Sequence, residues 1–405
     1  MAFVYLFERF PSLTQTFCYR EVEELSRLIP GLLVWSIRRP KDKPVDLSAD
    51  LIERVQYLPS QEELDLELGS VRRAILHNYP PYVIWMLRLC RNRPGKYRLR
   101  EAAWLGKRLL QSNVDHVHTH FAGIGARTAW WIKKLYGINF SFTAHANDIF
   151  CDSDDPIELI HLVESARFVI TVSNFSCAWL VDRFPGCRGK IHRIYNGIKM
   201  QEKCLWVGGS ASIPLILSVG RLIEKKGFED LITACALLRD QGTTFQCMIV
   251  GGGPLEQALR SQIDELSLGE YVFLVGPMSN SEVRVQMSKA DVFALACVNE
   301  VEGGADNLPT VLMEAMDIGL PVVSTRVAGV PEMVDEGTTG FLVPERDPKA
   351  LAEGIQTLIV DRLKARTMGE EGKKLADKKF SIDCTVRELQ LVFECYGVSD
   401  VLPRG

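Results

Sequence analysis

Asp306 and Glu314 stand eight residues apart in the run EGGADNLPTVLMEAMDIGLPVVST, which begins at Glu302 and ends at Thr325. The run opens with acids and glycines, which read as a loop, and continues into a helical segment with Glu314 on its first turn. It then turns at GLPVVST into an apolar strand. Between the two carboxylates, NLPTVLM would expose backbone N–H groups at a helix N-terminus, which is an anion site. Glu314 can accept two hydrogen bonds from a vicinal diol, as in ribose, and Asp306 can accept one from a sugar hydroxyl.

A second loop could serve the same ligand. SVGRLIEKKG puts Arg221 just after a strand and Lys226 just before the next helix. Two cations at that position can neutralise a diphosphate, and the planar guanidinium can grip it with two donors. No G-K-[ST] follows, so this is not a Walker loop. Together the two loops describe a site for a sugar attached to a nucleoside diphosphate.

Other patterns are weaker. VGGGPLEQAL has Gly251 and Gly253 but Glu256 where a dinucleotide fingerprint needs its third glycine, so it reads as a tight turn that lets strand and helix pack closely. TAHANDIF places His145 and Asp148 three apart after a strand, where an imidazole could move a proton. DHVHTHF sets His116, His118 and His120 along one strand face, with no carboxylate or cysteine cluster nearby in sequence, so no metal is expected. DSDD, Asp152–Asp155, leads into Pro156 and reads as a helix cap or surface loop.

The elements that must position these residues follow a regular plan. Short apolar runs alternate with amphipathic stretches, the pattern of parallel sheets covered by helices. AFVYLF, LLVWSI, HVHTHF, FSFTAH and FVITVS read as strands in the first half, with CYREVEELSRL a helix. VDRFPGCRGKIHRIYNGI ends this part in turn residues, and Lys199–Ile213 reads as a linker. The alternation restarts at PLILSVG and continues through FQCMIVGGG, YVFLVG, DVFALAC and FLVPERDPKALAEGIQTLI. The expected fold class is α/β, two Rossmann-like parallel-sheet domains facing across a cleft. The expected domains are 1–198, 199–380, and a last helix in 381–405 crossing back to the first domain.

Composition bounds the function. A net charge of −4 argues against a dedicated nucleic-acid binder. The apolar start is ended by Glu8 and Arg9, too early for a signal peptide or anchor, and no apolar run approaches the roughly 20 residues of a spanning helix. Eleven scattered cysteines without a C-x-x-C pair suit reduced thiols and a cytoplasmic protein. Between Arg72 and Arg108, ten Lys or Arg residues accompany one acid, Glu101, with Tyr79, Tyr82, Trp85, Tyr97 and Trp104 interleaved. That mixture suits either the surface of an anionic membrane at the inner face of the cell, touched peripherally, or a solvated helical face.

The combination resembles the retaining glycosyltransferases of family 4, with the GT-B fold. Their E-x7-E followed by A-M-A-x-G-x-P-V-V is matched by DNLPTVLMEAMDIGLPVVST, with Asp306 in place of the first Glu. GRLIEKKG matches their G-R-L-x-x-x-K-G, HANDI their H-x-x-D loop, and ERFPSLTQTFCYREVEEL the exopolysaccharide, colanic-acid-type branch. The resemblance implies that Glu314 holds the ribose, that Gly220, Arg221 and Lys226 hold the diphosphate, and that Thr310 and Val311 contact the distal phosphate through backbone. It further implies Asp306, Asn307 and Leu308 at the transferred sugar, His145 beside the donor sugar, and Gly276 to Met278 flanking the base. Asp148 would line the acceptor side, and Thr14, Gln15 and Thr16 would close over the cleft. The implied partners are a UDP- or GDP-sugar donor and a glycan or lipid-linked saccharide acceptor, with no metal or other cofactor. The shorter Asp306 leaves the donor sugar open. It also keeps in view a catalytically weak relative that only binds a glycan or partner, while a nicotinamide-dependent enzyme is disfavoured by Glu256.

Overall fold

The structure, a computed structural model, describes residues 2–12, 15–29, 31–40, 48–69, 79–90, 95–151, 155–200, 206, 213–300 and 304–398. It divides into two compact units, one of Met1–Val172, Cys177–Gly197 and Thr385–Gly405, the other of Ser173–Ser176 and Ile198–Cys384.

The first unit holds β1 (Ala2–Arg9), β2 (Leu33–Arg38), β3 (Val55–Tyr57), β4 (Val114–His120), β5 (Asn139–Ala144), β6 (Val169–Thr171) and β7 (Ile191–Arg193). They form one sheet in the order β3-β2-β1-β4-β5-β6-β7, and every pairing is parallel. The second unit holds β8 (Leu215–Val219), β9 (Gln246–Val250), β10 (Val272–Leu274), β11 (Val292–Leu295), β12 (Val322–Thr325) and β13 (Gly340–Val343). Its order is β10-β9-β8-β11-β12-β13, also parallel throughout. Parallel strands need helical crossovers, which bury both sheet faces, so the strands read as unbroken apolar runs. β11 and β12 are buried along their whole length.

In both sheets the chain runs outward, then returns to start again beside its first strand. Strand order reverses between β1 and β4 in one unit and between β8 and β11 in the other. At such a reversal the two outgoing loops part and leave a crevice at the carboxyl ends of the strands.

Three short features depart from the sequence reading. The stretch read as terminal turns contains the end of the helix Asn174–Arg183, a 3-10 turn at Pro185–Lys190 and β7. Three residues flanked by prolines, glycines and cations give no periodicity to find. β3 is equally short. Glu314 is the fifth residue of the helix Thr310–Asp317, one turn deeper than expected.

The basic segment is also less bare than its composition suggests. Among its described residues, Arg98 pairs with buried Glu101, which also takes Arg38 from β2, and Arg100 pairs with Asp65. Arg108 stacks on Trp104 and Lys107 lies over Tyr79. Acids distant in sequence supply much of the missing negative charge. Arg72, Arg73, Arg91 and Arg93 lie outside the described residues.

Two glycines fix the reversal in the second unit. Gly227, with φ +62°, begins the helix Phe228–Asp240, and a β-carbon there would lie 1.6 Å from the carbonyl oxygen of Ala296, just past β11. Gly251, with φ +150°, would place one 1.8 Å from the carbonyl oxygen of Gly220, just past β8. The Gly-rich turn is therefore a close-packing device, as its broken fingerprint suggested. Gly251→Ala is expected to cost about 3 kcal/mol or more, since strain and backbone overlap add. Gly242→Ala, also at positive φ but with nothing within 4 Å, is expected to cost about 1 kcal/mol. Urea unfolding of the two variants checks this, and equal midpoints would contradict it.

Candidate functional site

At the reversal between β8 and β11 lies a cavity of about 290 Å³. Val219, Gly220 and Arg221 line it from the end of β8, Val250 and Gly251 from the end of β9, Met278 from the loop after β10, and Val311 and Glu314 from the helix Thr310–Asp317. Five expected residues, Gly220, Arg221, Met278, Val311 and Glu314, thus converge on one space. Gly276 stands behind it, its carbonyl accepting from the Gly251 N–H at 2.9 Å with its own φ at +79°.

The helix Thr310–Asp317 is capped by Pro309, which offers no side-chain acceptor. The N–H groups of a helix's first turn have no acceptor within the helix, so Thr310 and Val311 carry the anion-attracting end. Glu314 is 8% exposed and reaches the cavity wall one turn further along.

Lys226 is placed differently from its expected partner Arg221. Its ammonium forms an ion pair with Asp306, their side chains being 14% and 17% exposed. Burial disfavours the ammonium, but the Asp306 carboxylate, helped by the Cys297 sulfur, more than offsets this and raises its pKa. The lysine stem lies over Gly220, where a β-carbon would come within 3.3 Å of it. Leu308 is buried beside this loop. Asn307 is buried too, and its amide oxygen accepts from Ser173 at 2.7 Å while its nitrogen donates to Ser176 at 3.1 Å, both counted in the second unit. That side chain holds the loop, and neither Asn307 nor Leu308 lines the cavity.

The first unit has its own cavity, of about 250 Å³, at the reversal between β1 and β4. Phe7, Glu8 and Arg9 line it from β1, His120 and Phe121 from the end of β4, and Gln15 from the start of the helix Thr16–Leu28. Thr16 is that helix's first residue, and Thr14 lies outside the described residues.

His145 is buried between the rings of Phe17 and Phe121, at 4.6 and 4.5 Å. Asp148 organises its loop. The carboxylate accepts backbone N–H groups of Ala122 at 2.9 Å, His145 at 3.1 Å and Ala146 at 2.8 Å. Its pKa is raised by burial, against the pull of these donors. Asp148 also lines a separate space of about 450 Å³ with Arg127 and Trp179.

The histidine strip on β4 is the feature the sequence reading understated. His116 and His118 share the Ser141 hydroxyl at 2.7 and 2.8 Å, and His118 also meets Thr143 at 3.1 Å. These hydroxyls sit on β5, which pairs with β4 in register. His120 meets Glu21 at 3.0 Å through Nε2. Sequence reasoning found no carboxylate for this strip because Glu21 arrives from a helix 99 residues away. Ligand atoms of Glu21, His118 and His120 lie within 4.8 Å of one another. Each of these atoms already serves a hydrogen bond, so the cluster reads as a polar network.

Two family models match the chain. "Glycosyltransferase Family 4" covers residues 63–202 and "Glycosyl transferases group 1" covers residues 210–375. Over these two spans the chain is similar to glycosyltransferase family 4. Over 138 residues it is 44% identical to WcaL of Escherichia coli (strain K12), a protein assigned to colanic acid biosynthesis, covering 34% of each chain. Over 169 residues it is 40% identical to the amylovoran biosynthesis glycosyltransferase AmsK of Erwinia amylovora, covering 41% of this chain and 42% of AmsK. The aligned part thus spans well under half the length of these relatives. The structure of HepE from Anabaena in complex with UDP superposes with a TM-score of 0.71 at 18% identity, over 98% of this chain and 100% of HepE. The chain therefore shares the GT-B class of two Rossmann-like α/β units.

The polar strip makes a pH signature. Burial lowers His116 to about 3 and holds His118 and His145 well below the usual histidine value. Below pH about 6.5 the unfolded chain binds protons at all three that the folded chain refuses, so stability falls as pH falls. His120, raised in the folded state, is charged there throughout, while in the unfolded chain it gains most of its proton between pH 7 and 5.5, so it returns only about 1 kcal/mol of the loss. Asp148, raised by burial, offsets part of the loss only near the carboxylate range, about pH 4. Between pH 7 and 5.5 a loss on the order of 3 kcal/mol is expected in urea unfolding. An unchanged midpoint would refute it.

Proposed function

We propose that this protein is a retaining glycosyltransferase. It moves a hexose from a UDP- or GDP-linked donor to a hydroxyl of a glycan or lipid-linked saccharide, in polysaccharide assembly. The observation that carries this reading is the convergence of Arg221, Glu314 and the first turn of the helix Thr310–Asp317 on one cavity at the β8–β11 reversal. A fixed cation, a helix N-terminus and a carboxylate suit a diphosphate beside a diol. The likeness to WcaL and AmsK supports polysaccharide assembly, and HepE, solved with UDP and with UDP-glucose, supports a nucleotide-sugar donor.

In this reading Glu314 holds the ribose, Met278 and the Gly276 turn flank the base, and Arg221 holds the diphosphate. Lys226, now paired with Asp306, would bridge the distal phosphate and that carboxylate, and Asp306 would face the sugar. The acceptor oxygen attacks the anomeric carbon on the face the diphosphate leaves. The C–O bond to diphosphate breaks, the new C–O bond forms, and the acceptor proton passes to the departing phosphate oxygen. The chain's contribution is mainly fixed charge aimed at the leaving group, which lets Arg221 and Lys226 do what a divalent ion does elsewhere.

The same reading includes peripheral contact with an anionic membrane. No helix among the described residues is long and apolar enough to cross one. The helix Pro81–Leu89, however, exposes Tyr82, Trp85 and Leu89 at 49, 55 and 48%, a spacing that sets all three on one side.

Binding is tested by thermal shift with UDP, GDP, ADP, dTDP and NAD, each with and without EDTA. A ligand at 100 times its Kd stabilises the folded state by about 2.7 kcal/mol. One nucleoside diphosphate is expected to shift the melting temperature, unaffected by EDTA, and Glu314→Ala is expected to abolish the shift. A shift with NAD alone, or with none, would sink the reading. The membrane contact is tested by sedimentation with anionic vesicles. Binding is expected at low salt, with release at high salt and loss in a Trp85→Ala, Leu89→Ala variant. An unbound wild type at low salt would remove that part.

A further inference from the structure

The β1–β4 reversal of the first unit holds a chain of polar groups whose inner members no expectation had assigned. It begins at Tyr5 on β1, whose hydroxyl donates to Oε1 of Glu21 at 2.6 Å. The same oxygen lies 3.0 Å from Nε2 of His120, and Nδ1 of His120 lies 3.0 Å from Nε2 of His145. All four residues are buried. Their backbones sit on β1, the helix Thr16–Leu28, the last residue of β4 and the loop after β5, so four separate elements must be in place to build it.

An ionised carboxylate only accepts, so Nε2 of His120 must carry a proton. The contact between the two rings then has two solutions. Either Nδ1 of His120 donates to His145, or His145 donates to a neutral His120. The surroundings favour the first. Glu21 provides a negative charge beside His120, and a buried carboxylate without a cation is costly. Burial opposes the imidazolium, but the Cys18 sulfur and Glu21 carboxylate outweigh it and raise the His120 pKa. His145 shifts the opposite way, lowered first by burial and then by the charge on His120. The remaining groups against His120 bring no competing positive charge: Cys18, whose thiol is raised by burial, Tyr5, raised by burial and Glu21, and His118, lowered by burial.

We propose that Glu21 and His120 are positioning residues that lock His145 as the neutral tautomer with its proton on Nδ1, because His120 donates its Nδ1–H to Nε2 of His145. His145 can then serve a ligand as a hydrogen-bond donor and cannot serve it as a base. The proposal gives a chemical role within the transferase reading, on which its functional part rests. In that role His145 would donate to a ligand hydroxyl, and proton removal would fall to the departing phosphate. Phe17 and Phe121, tilted at 42° and 40° to the imidazole, pack against it.

The protonation states can be read without substrate. In the intact protein labelled with ¹⁵N-histidine, long-range nitrogen–proton correlation at pH 7 distinguishes each tautomer among the seven histidines, with His120→Gln and His145→Gln used for assignment. Two protonated nitrogens on His120 and a proton on Nδ1 alone of His145 are expected. Glu21→Gln removes the charge while keeping the shape, and is expected to turn His120 neutral and to move the His145 proton to Nε2. A wild-type His145 protonated on Nε2 would overturn the proposal, as would a Glu21→Gln protein, folded by circular dichroism, whose two rings are unchanged. Because wild type alone decides the tautomer, a Glu21→Gln protein that does not fold leaves the test standing. Transfer assays form a separate arm. Glu21→Gln is expected to lower kcat at least about tenfold with donor KM little changed, and an unaltered kcat would overturn the functional part. Failure of every donor to bind would instead refute the transferase reading and leave the tautomer result as measured.

Discussion

Reversal of strand order is the constraint on which both units depend. A parallel sheet sends every outgoing loop to the same edge, and only where the order reverses do two neighbouring loops part. The gap between β8 and β11 exists because Gly251 and Gly227 let the loops beside it pack against backbone carbonyls at distances no β-carbon permits. With those contacts made, the end of β8 and the helix Thr310–Asp317 hold fixed positions, and Arg221 and Glu314 follow from them. The glycines that resemble half of a nucleotide fingerprint shape the wall of the cavity.

Much of this could be read in the sequence because it is periodic or local. Apolar runs separated by helical stretches gave the parallel α/β class, and short motifs after strands gave Arg221, Glu314 and Val311 as neighbours of one space. Other features escaped for physical reasons. β3 and β7 have three residues each, too few for a pattern. The basic composition of Arg72–Arg108 hid an acid that neutralises part of it, since Asp65, the partner of Arg100, precedes the segment. Glu21 looked like one more charge on an amphipathic helix. Its meeting with His120 depends on the tertiary fold, and residue types at a separation of 99 positions carry no trace of it.

The two cavities solve the problem of buried polarity in different ways. In the second unit one carboxylate and one ammonium neutralise each other at Asp306 and Lys226, so the loop can be buried without a ligand. A shorter Asp in place of the family's Glu keeps the same charge while withdrawing it by about one methylene, which favours a pairing close to the loop itself. In the proposed reaction an incoming diphosphate would add negative charge beside that pair, and the ammonium would then serve two anions at once. In that reading the pair is a resting arrangement of charge oriented for the leaving group, so little reorganisation would remain when the bond breaks.

In the first unit the polar groups are arranged in series. Three histidines alternate along β4 with two kinds of partner: hydroxyls for His116 and His118, a carboxylate for His120. Neutral histidines held by hydroxyls require no charge, although Nδ1 of His116 is left without a partner among the described residues. The exception is His120, where a buried carboxylate demands a compensating proton and the neighbouring ring of His145 is placed to feel it. A core that needed only to be filled could have used apolar residues here without the cost of desolvating Glu21. The charged pair lies at the one place in the sheet where the strand order reverses and a cavity opens. A charged pair at that place argues that the network serves the reversal point, with His120 on the cavity wall and His145 next in the series.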